Sequence, residues 1–202
     1  MSESFDDDDL SLRALLGRPD YRRFWLSRVG STLAVQIQSV ALGWQVYEVA
    51  RETMDVARAA FFVGMIGLAA FIPVFFLALP AGEAADRHDR KTILRLCYLA
   101  ETATVLVLVA ATVFDFATLP LLLALAAAFG ASRAFMGPAG TALGPMLVPR
   151  PLLPRAIAMN SLAWQAASII GPAIGGLLVA LSPAASYAGA AGLYLFALAC
   201  IA

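Results

Sequence analysis

With 202 residues, 61% of them hydrophobic and 14% charged, the chain carries too little charge for a soluble domain, where about a quarter of residues are ionised. Fourteen basic residues offset fourteen acidic ones, so there is no basic excess to draw nucleic acid, and none is expected as a partner. The mean hydropathy of +0.80 points instead to the lipid bilayer as the main partner.

The chain opens on MSESFDDDDLSLR, an acidic stretch with an aspartate run from Asp6 to Asp9 where a cleavable signal would need an apolar core. Residues 1–20 read as a solvated cytoplasmic tail and a short interfacial helix, broken between Gly17 and Pro19, with Asp20 as the N-cap of the first span. Residues 21–202 read as an all-α membrane bundle of six transmembrane helices. Its apolar runs cover 24–49, 59–81, 92–114, 119–148, 156–181 and 184–202, each long enough at 1.5 Å per residue for about 30 Å of hydrocarbon. The last run stops at LYLFALACIA without a cap, so a C-terminal truncation is expected. Short connections predict that consecutive helices are antiparallel neighbours in a single bundle. Six helices also permit two inverted three-helix repeats.

Basic residues are distributed unevenly. Arg13, Arg18, Arg22, Arg23 and Arg28 precede or begin the first span; Arg87, Arg90, Lys91 and Arg95 follow the second; Arg150 and Arg155 follow the fourth. The opposite connections hold only Arg51 and Arg58. The positive-inside rule therefore puts the N-terminus and the even-numbered connections in the cytoplasm, with the chain integral to the plasma (cytoplasmic, or inner) membrane.

The first span carries Gln36, Gln38, Trp44 and Gln45, and the fifth carries Asn160, Trp164, Gln165 and Ser168. Buried amides need partners or water. Gln38 and Gln45 share a helical face, with Gln36 about 160° away from Gln38. Gln36, Gln38, Trp44, Asn160, Trp164 and Gln165 are candidates to line a cavity for a small amphipathic or aromatic compound; as an alternative, the amides hold helices together.

Two charges lie inside apolar runs. Arg133 sits fourteen residues into the fourth span, about 20 Å along a helix, where an ionised group costs roughly 2.5 to 3.5 kcal/mol. It is expected to face a wet cavity or an acid, and Glu101 of the third span is the best-placed acid. The alternative has Arg133 snorkelling to the interface and Glu101 bonded to nearby backbone or protonated. In the fifth span Ala167, Gly171 and Gly175 recur every four residues, a ridge of small side chains suited to close helix packing, with Pro172 and Gly176 beside it. Cys97 and Cys200 lie in apolar runs and read as small hydrophobes. No HExxH, GxSxG or pair of membrane acids is present, and no enzyme activity, metal or cofactor is expected.

The segment GEAADRHDRK, Gly82 to Lys91, joins the second and third spans as a charged cytoplasmic turn. Its Gly82, Asp86, Arg87, Arg90 and Lys91 have the spacing of the major facilitator superfamily hallmark, which the chain resembles. ASRAFMGPAG looks like that superfamily's intramembrane arginine with glycine four later, Arg133 and Gly137. IIGPAIGG looks like its antiporter motif, Gly171, Pro172, Gly175 and Gly176. RPDYRRFWLSR and RAIAMNSLAWQAASIIGPAIGGLL look most like the enterobactin-exporter-like (transmembrane secretion effector) subfamily. The chain departs from the pattern at Asp89, where glycine is usual and a left-handed aspartate would serve, and at Met136, Pro138 and Ala167.

The resemblance implies an N-terminal six-helix half of a twelve-helix secondary transporter, exporting a small organic molecule or drug by alternating access, coupled to protons in an antiporter fashion. Its partners would be lipid, substrate, protons and a second six-helix half, in the same full-length chain or as a dimer. The charged turn would be a gate that stabilises the outward-facing state, Asp86 accepting from Arg90 and from the start of the third span; the alternative is a plain anchor for orientation. Arg133 and Glu101 would take part in proton or substrate coupling, and the fifth-span motif would supply a bend and close packing. His88 is assigned no relay. The competing reading is a non-transporting or degenerate half that serves as a structural or regulatory membrane partner.

Overall fold

A computed structural model describes residues 15–202. The run Asp6 to Asp9 and most of the expected interfacial helix lie outside the described residues. The described chain forms six long helices: α1 (Pro19–Arg51), α2 (Val56–Arg87), α3 (Arg90–Val113), α4 (Leu119–Met146), α5 (Leu153–Leu181) and α6 (Pro183–Ile201), with one 3-10 turn, Arg150–Leu152, ahead of α5. Five of them are long and apolar enough to cross a membrane. α1 is the exception: its 33 residues give ample length, but Gln36, Gln38, Gln45 and its hydroxyl side chains dilute the apolar stretch.

Local chemistry explains most helix ends. α1 begins at Pro19, whose fixed φ and missing N–H suit the first helical position. Its N-cap is Arg18, so the expected cap, Asp20, falls instead in the first turn, where its carboxylate favours the helix dipole. Asp55, Asp89 and Ser182 cap α2, α3 and α6 by accepting from the backbone N–H three residues on. The turn after α3 uses Asp115 at φ 56, a left-handed position that Asp tolerates better than most residues.

Packing meets the expectation that consecutive helices are neighbours only in part: α1 and α2, α3 and α4, and α5 and α6 touch, but α4 and α5 hardly do. α2 lies chiefly against α4, α1 against α6 and α5, and α3 against α6 and α4, while α2 and α3 barely touch. Small residues rather than loop lengths set the closest approaches. At Gly130 of α4 a β-carbon would collide with the carbonyl of Ala70 of α2, so bare backbone lets these two helices meet. The buried core comes mainly from α1, α3, α4 and α6. α2 buries only Ala59, Ala81 and Ala85, and α5 only Ala156, Ala167, Gly171 and Gly175. The remaining surface of both is rich in exposed Phe, Ile and Leu, which suits hydrocarbon surroundings.

Candidate functional site

The segment Gly82 to Lys91 is mostly helix, not turn. α2 continues through Arg87, supported by an ion pair one turn long, Arg87 Nη2 to Glu83 Oε1 at 2.9 Å, and the chain breaks only at His88 and Asp89. Asp89 is extended, at φ −62, not left-handed. It accepts from both the hydroxyl and the backbone N–H of Thr92 at 2.8 Å. These bonds, the hydroxyl first, hold its carboxyl below the ordinary 3.8. The residue that departs from the resembled pattern is thus the one that starts α3.

Asp86 is exposed and takes no bond from Arg90, contrary to the expected latch. Asp86 lies on the last turn of α2, and Asp89 occupies the capping position expected for it. Arg90 reaches elsewhere: its Nη1 donates to Sδ of Met146 at 2.9 Å, tying the start of α3 to the end of α4. Arg95 donates to the Ile201 carbonyl at 3.1 and 3.2 Å, closing the end of α6 at the same end of the bundle. Lys91 is partly buried beside them.

A polar seam runs through the interface of α1, α3 and α6. Ser31 Oγ lies 3.4 Å from the Tyr98 hydroxyl. Gln45 donates to Thr112 Oγ1 at 2.7 Å and accepts from the Tyr187 hydroxyl at 2.8 Å. Between these contacts lie Gln38, Glu101 and Tyr194, all buried. Gln38 Oε1, both carboxylate oxygens of Glu101 and the Tyr194 hydroxyl have no hydrogen bond, although Tyr194, Gln38 and Arg133 are the polar groups around Glu101. The expected Glu101–Arg133 ion pair does not form. Glu101 lies on the α3 face shared by Leu94, Tyr98, Val105 and Leu108, which packs into the bundle, whereas Arg133 is exposed on α4.

Arg133, Gly137, Thr141 and Pro145 form an exposed strip on α4 at four-residue spacing, with Met136 buried and Pro138 partly so. Beside it a cavity of about 610 Å³ opens between α1, α4 and α5, lined by Arg28, Thr32, Asn160, Trp164 and Gln165. A second, of about 890 Å³, lies between α1, α2 and α5 against Trp44, Tyr47, Glu48 and Gly176. Four of the expected lining residues, Trp44, Asn160, Trp164 and Gln165, therefore face cavities. Gln36 and Gln38 line neither: Gln38 joins the seam, and Gln36 packs on α5.

The ridge on α5 meets α1 as its spacing predicts. A β-carbon at Gly171 would lie 2.5 Å from Gln36 Cβ, and one at Gly175 would lie 3.2 Å from Ile37 Cα. Pro172 sits within a continuous helix and Gly176 faces open space. Sequence reasoning missed Arg28 as a lining residue and the tyrosines of the seam. A signal existed: Tyr187 and Tyr194 are seven apart on α6, as Gln38 and Gln45 are on α1, a spacing that returns to one helical face. The comparison with protein families finds a match over residues 11–202 to the model described as transmembrane secretion effector. A search of curated proteins finds no match.

Proposed function

We propose, because the chain belongs to the transmembrane secretion effector family of major-facilitator-type transporters, that it forms the N-terminal half of a secondary active transporter that exports a small organic molecule by alternating access. All six helices span the plasma membrane in this reading, with the N-terminus in the cytoplasm. α1 crosses despite its amides because these face α3, α5 and α6. The packing is consistent with two inverted repeats, since exchanging α1 to α3 for α4 to α6 turns the α1–α5 contact into α4–α2 and the α1–α6 contact into α4–α3.

One observation carries the reading: the polar strip of Arg133 and Thr141 on α4, flanked by Ser161 and Gln165 on α5, is exposed. Arg133 is about 21 Å along α4, at the depth of the bilayer interior, where such groups persist beside water or protein and not against lipid. A second six-helix half facing this strip encloses a wet, midplane pathway. Glu101 is the proton-coupling group within the seam, and the Gly82–Lys91 segment acts as the cytoplasmic gate through Arg90 and α4. The small-residue ridge on α5 keeps the helix close to α1.

The test uses everted membrane vesicles that carry the full-length transporter, with ethidium, Nile red and fluorescein as cationic, neutral and anionic probes. Energised movement of at least one probe, reduced at least tenfold by Arg133→Ala and by Arg90→Ala, is expected. No movement of any probe, or rates unchanged in both variants, would overturn the reading.

A further inference from the structure

Two glycines one turn apart on α4 accommodate polar groups from two other helices. A β-carbon on Gly140 would lie 2.9 Å from Nη1 and 3.2 Å from Cζ of Arg28 of α1. One on Gly144 would lie 3.7 Å from Nδ2 of Asn160 of α5 and 3.3 Å from the Phe24 ring. Bare backbone thus brings a guanidinium and an amide down onto the same floor. Arg28 is nine residues past Pro19, about 14 Å along the helix. Among the described residues its guanidinium pairs with no carboxylate and donates no hydrogen bond. The donor at the same floor, Nδ2 of Asn160, makes no hydrogen bond either among the described residues. Both donors are half-buried at the mouth of a cavity, where a ligand that enters can accept from them.

The cavity in front of them, about 610 Å³, has the size of a small-molecule site and no acidic residue in its lining, while Trp164 and Phe24 supply flat apolar walls. The larger cavity is lined by Glu48 instead, which disfavours the same charge. We propose that the Arg28–Asn160 cavity is an anion subsite, in which Arg28 takes the carboxylate of an organic anion through its paired N–H groups, Asn160 donates to the same end through Nδ2, and the apolar body lies along Trp164. This rests on the export reading and names its substrate class. The same chemistry would also take an acidic lipid headgroup, so the test separates the two.

The purified full-length protein in neutral detergent is titrated with 2-naphthoate, 2-naphthalenemethanol and 2-naphthylmethylammonium, three probes of one shape and different charge, and binding is read from tryptophan fluorescence. Naphthoate is expected to bind at least tenfold more tightly than the alcohol, and the ammonium most weakly. Arg28→Gln removes the preference, Arg28→Lys retains part of it, and Gly140→Ala, which keeps the charge but crowds the guanidinium, weakens naphthoate several-fold. Equal binding of all three probes, no binding of naphthoate, or unaltered preference in folded Arg28→Gln overturns the proposal; if that variant fails to fold, the probe series and Gly140→Ala decide alone. Displacement of naphthoate by phosphatidylglycerol in mixed micelles also overturns it, in favour of a headgroup site. Charge-selective binding without energised movement of any probe in vesicles would defeat the transporter reading and leave the subsite standing.

Discussion

Gly130 of α4 lies against the carbonyl oxygen of Ala70 of α2 with no room for a β-carbon between them. A methyl group there must push two helices apart, and overpacking of this kind costs roughly 1–3 kcal/mol. Gly130→Ala is expected to lower the unfolding midpoint in detergent, followed by circular dichroism. Gly64→Ala on α2, where nothing lies within 4 Å, serves as the control and should leave the midpoint unchanged. Equal midpoints for the two variants would show that this contact does not limit the packing.

Gln45 joins three helices, donating to Thr112 and accepting from Tyr187. Interhelical hydrogen bonds in membranes are worth about 0.6 kcal/mol on average and up to about 1.7 kcal/mol, so Gln45→Ala should cost about 1–2 kcal/mol. A double-mutant cycle with Tyr187→Phe should return a coupling of at least about 0.5 kcal/mol. Additive losses would mean that the two side chains act independently.

Both oxygens of Glu101 are buried without a hydrogen bond. Glu101→Gln keeps the shape and removes the ionisable group, so the bundle should melt within about 1 kcal/mol of the original, in line with volume-conserving exchanges. Glu101→Lys buries a cation in the same place and should fail to fold. If Glu101 couples protons to transport, Glu101→Gln abolishes the pH dependence of probe movement in vesicles; a retained profile removes Glu101 from that role.

Asp89 caps α3 through Thr92, and the same bonds hold its carboxyl below 3.8. The unfolded chain therefore takes up the proton first as the pH falls, and the cap's contribution is complete above about pH 4 and disappears below the lowered value. Asp89→Ala should cost about 1 kcal/mol at neutral pH. The difference in melting temperature between the original and Asp89→Ala should hold down to about pH 4 and shrink as acid is added. A difference that widens in acid would contradict the cap.

Cysteine labelling tests the orientation. In a background where Cys97 and Cys200 are replaced by alanine, His88→Cys is expected to react only with reagent admitted to the cytoplasmic side, and Asp115→Cys only from outside. The reverse pattern would invert the assignment of the charged segment to the cytoplasm.

Much of the helical layout was legible because apolar runs of membrane length have few competing explanations. The expected run 156–181 sits inside Leu153–Leu181, and 59–81 inside Val56–Arg87. What the runs could not reveal was where charge stops a helix: Gly82 to Arg87 looks like a loop by polarity, yet Glu83 and Arg87 are four apart and support another turn and a half. The division of the glutamines was legible as well, since Gln36 and Gln38 point to different faces and do meet different helices. The mispairing of Glu101 with Arg133 has the opposite origin. Depth along two helices can be counted from sequence, but their rotation about their own axes is fixed by packing, and α3 turns its carboxylate toward α6. Arg28 looked like a topology marker because nothing local announces Gly140 and Gly144 as its seat.

The matched seven-residue intervals of the seam have a consequence for assembly. Moving α6 along α1 by one helical turn, about 5.4 Å, would strand the Tyr187 hydroxyl and the Gln45 carbonyl oxygen inside the bundle at once, while the other end of the amide stays on Thr112 of α3. Apolar ridges elsewhere would tolerate such a slip with little loss. Individual helices can therefore enter the bilayer before they know their neighbours, while final docking admits a single alignment, spelled by a handful of polar atoms.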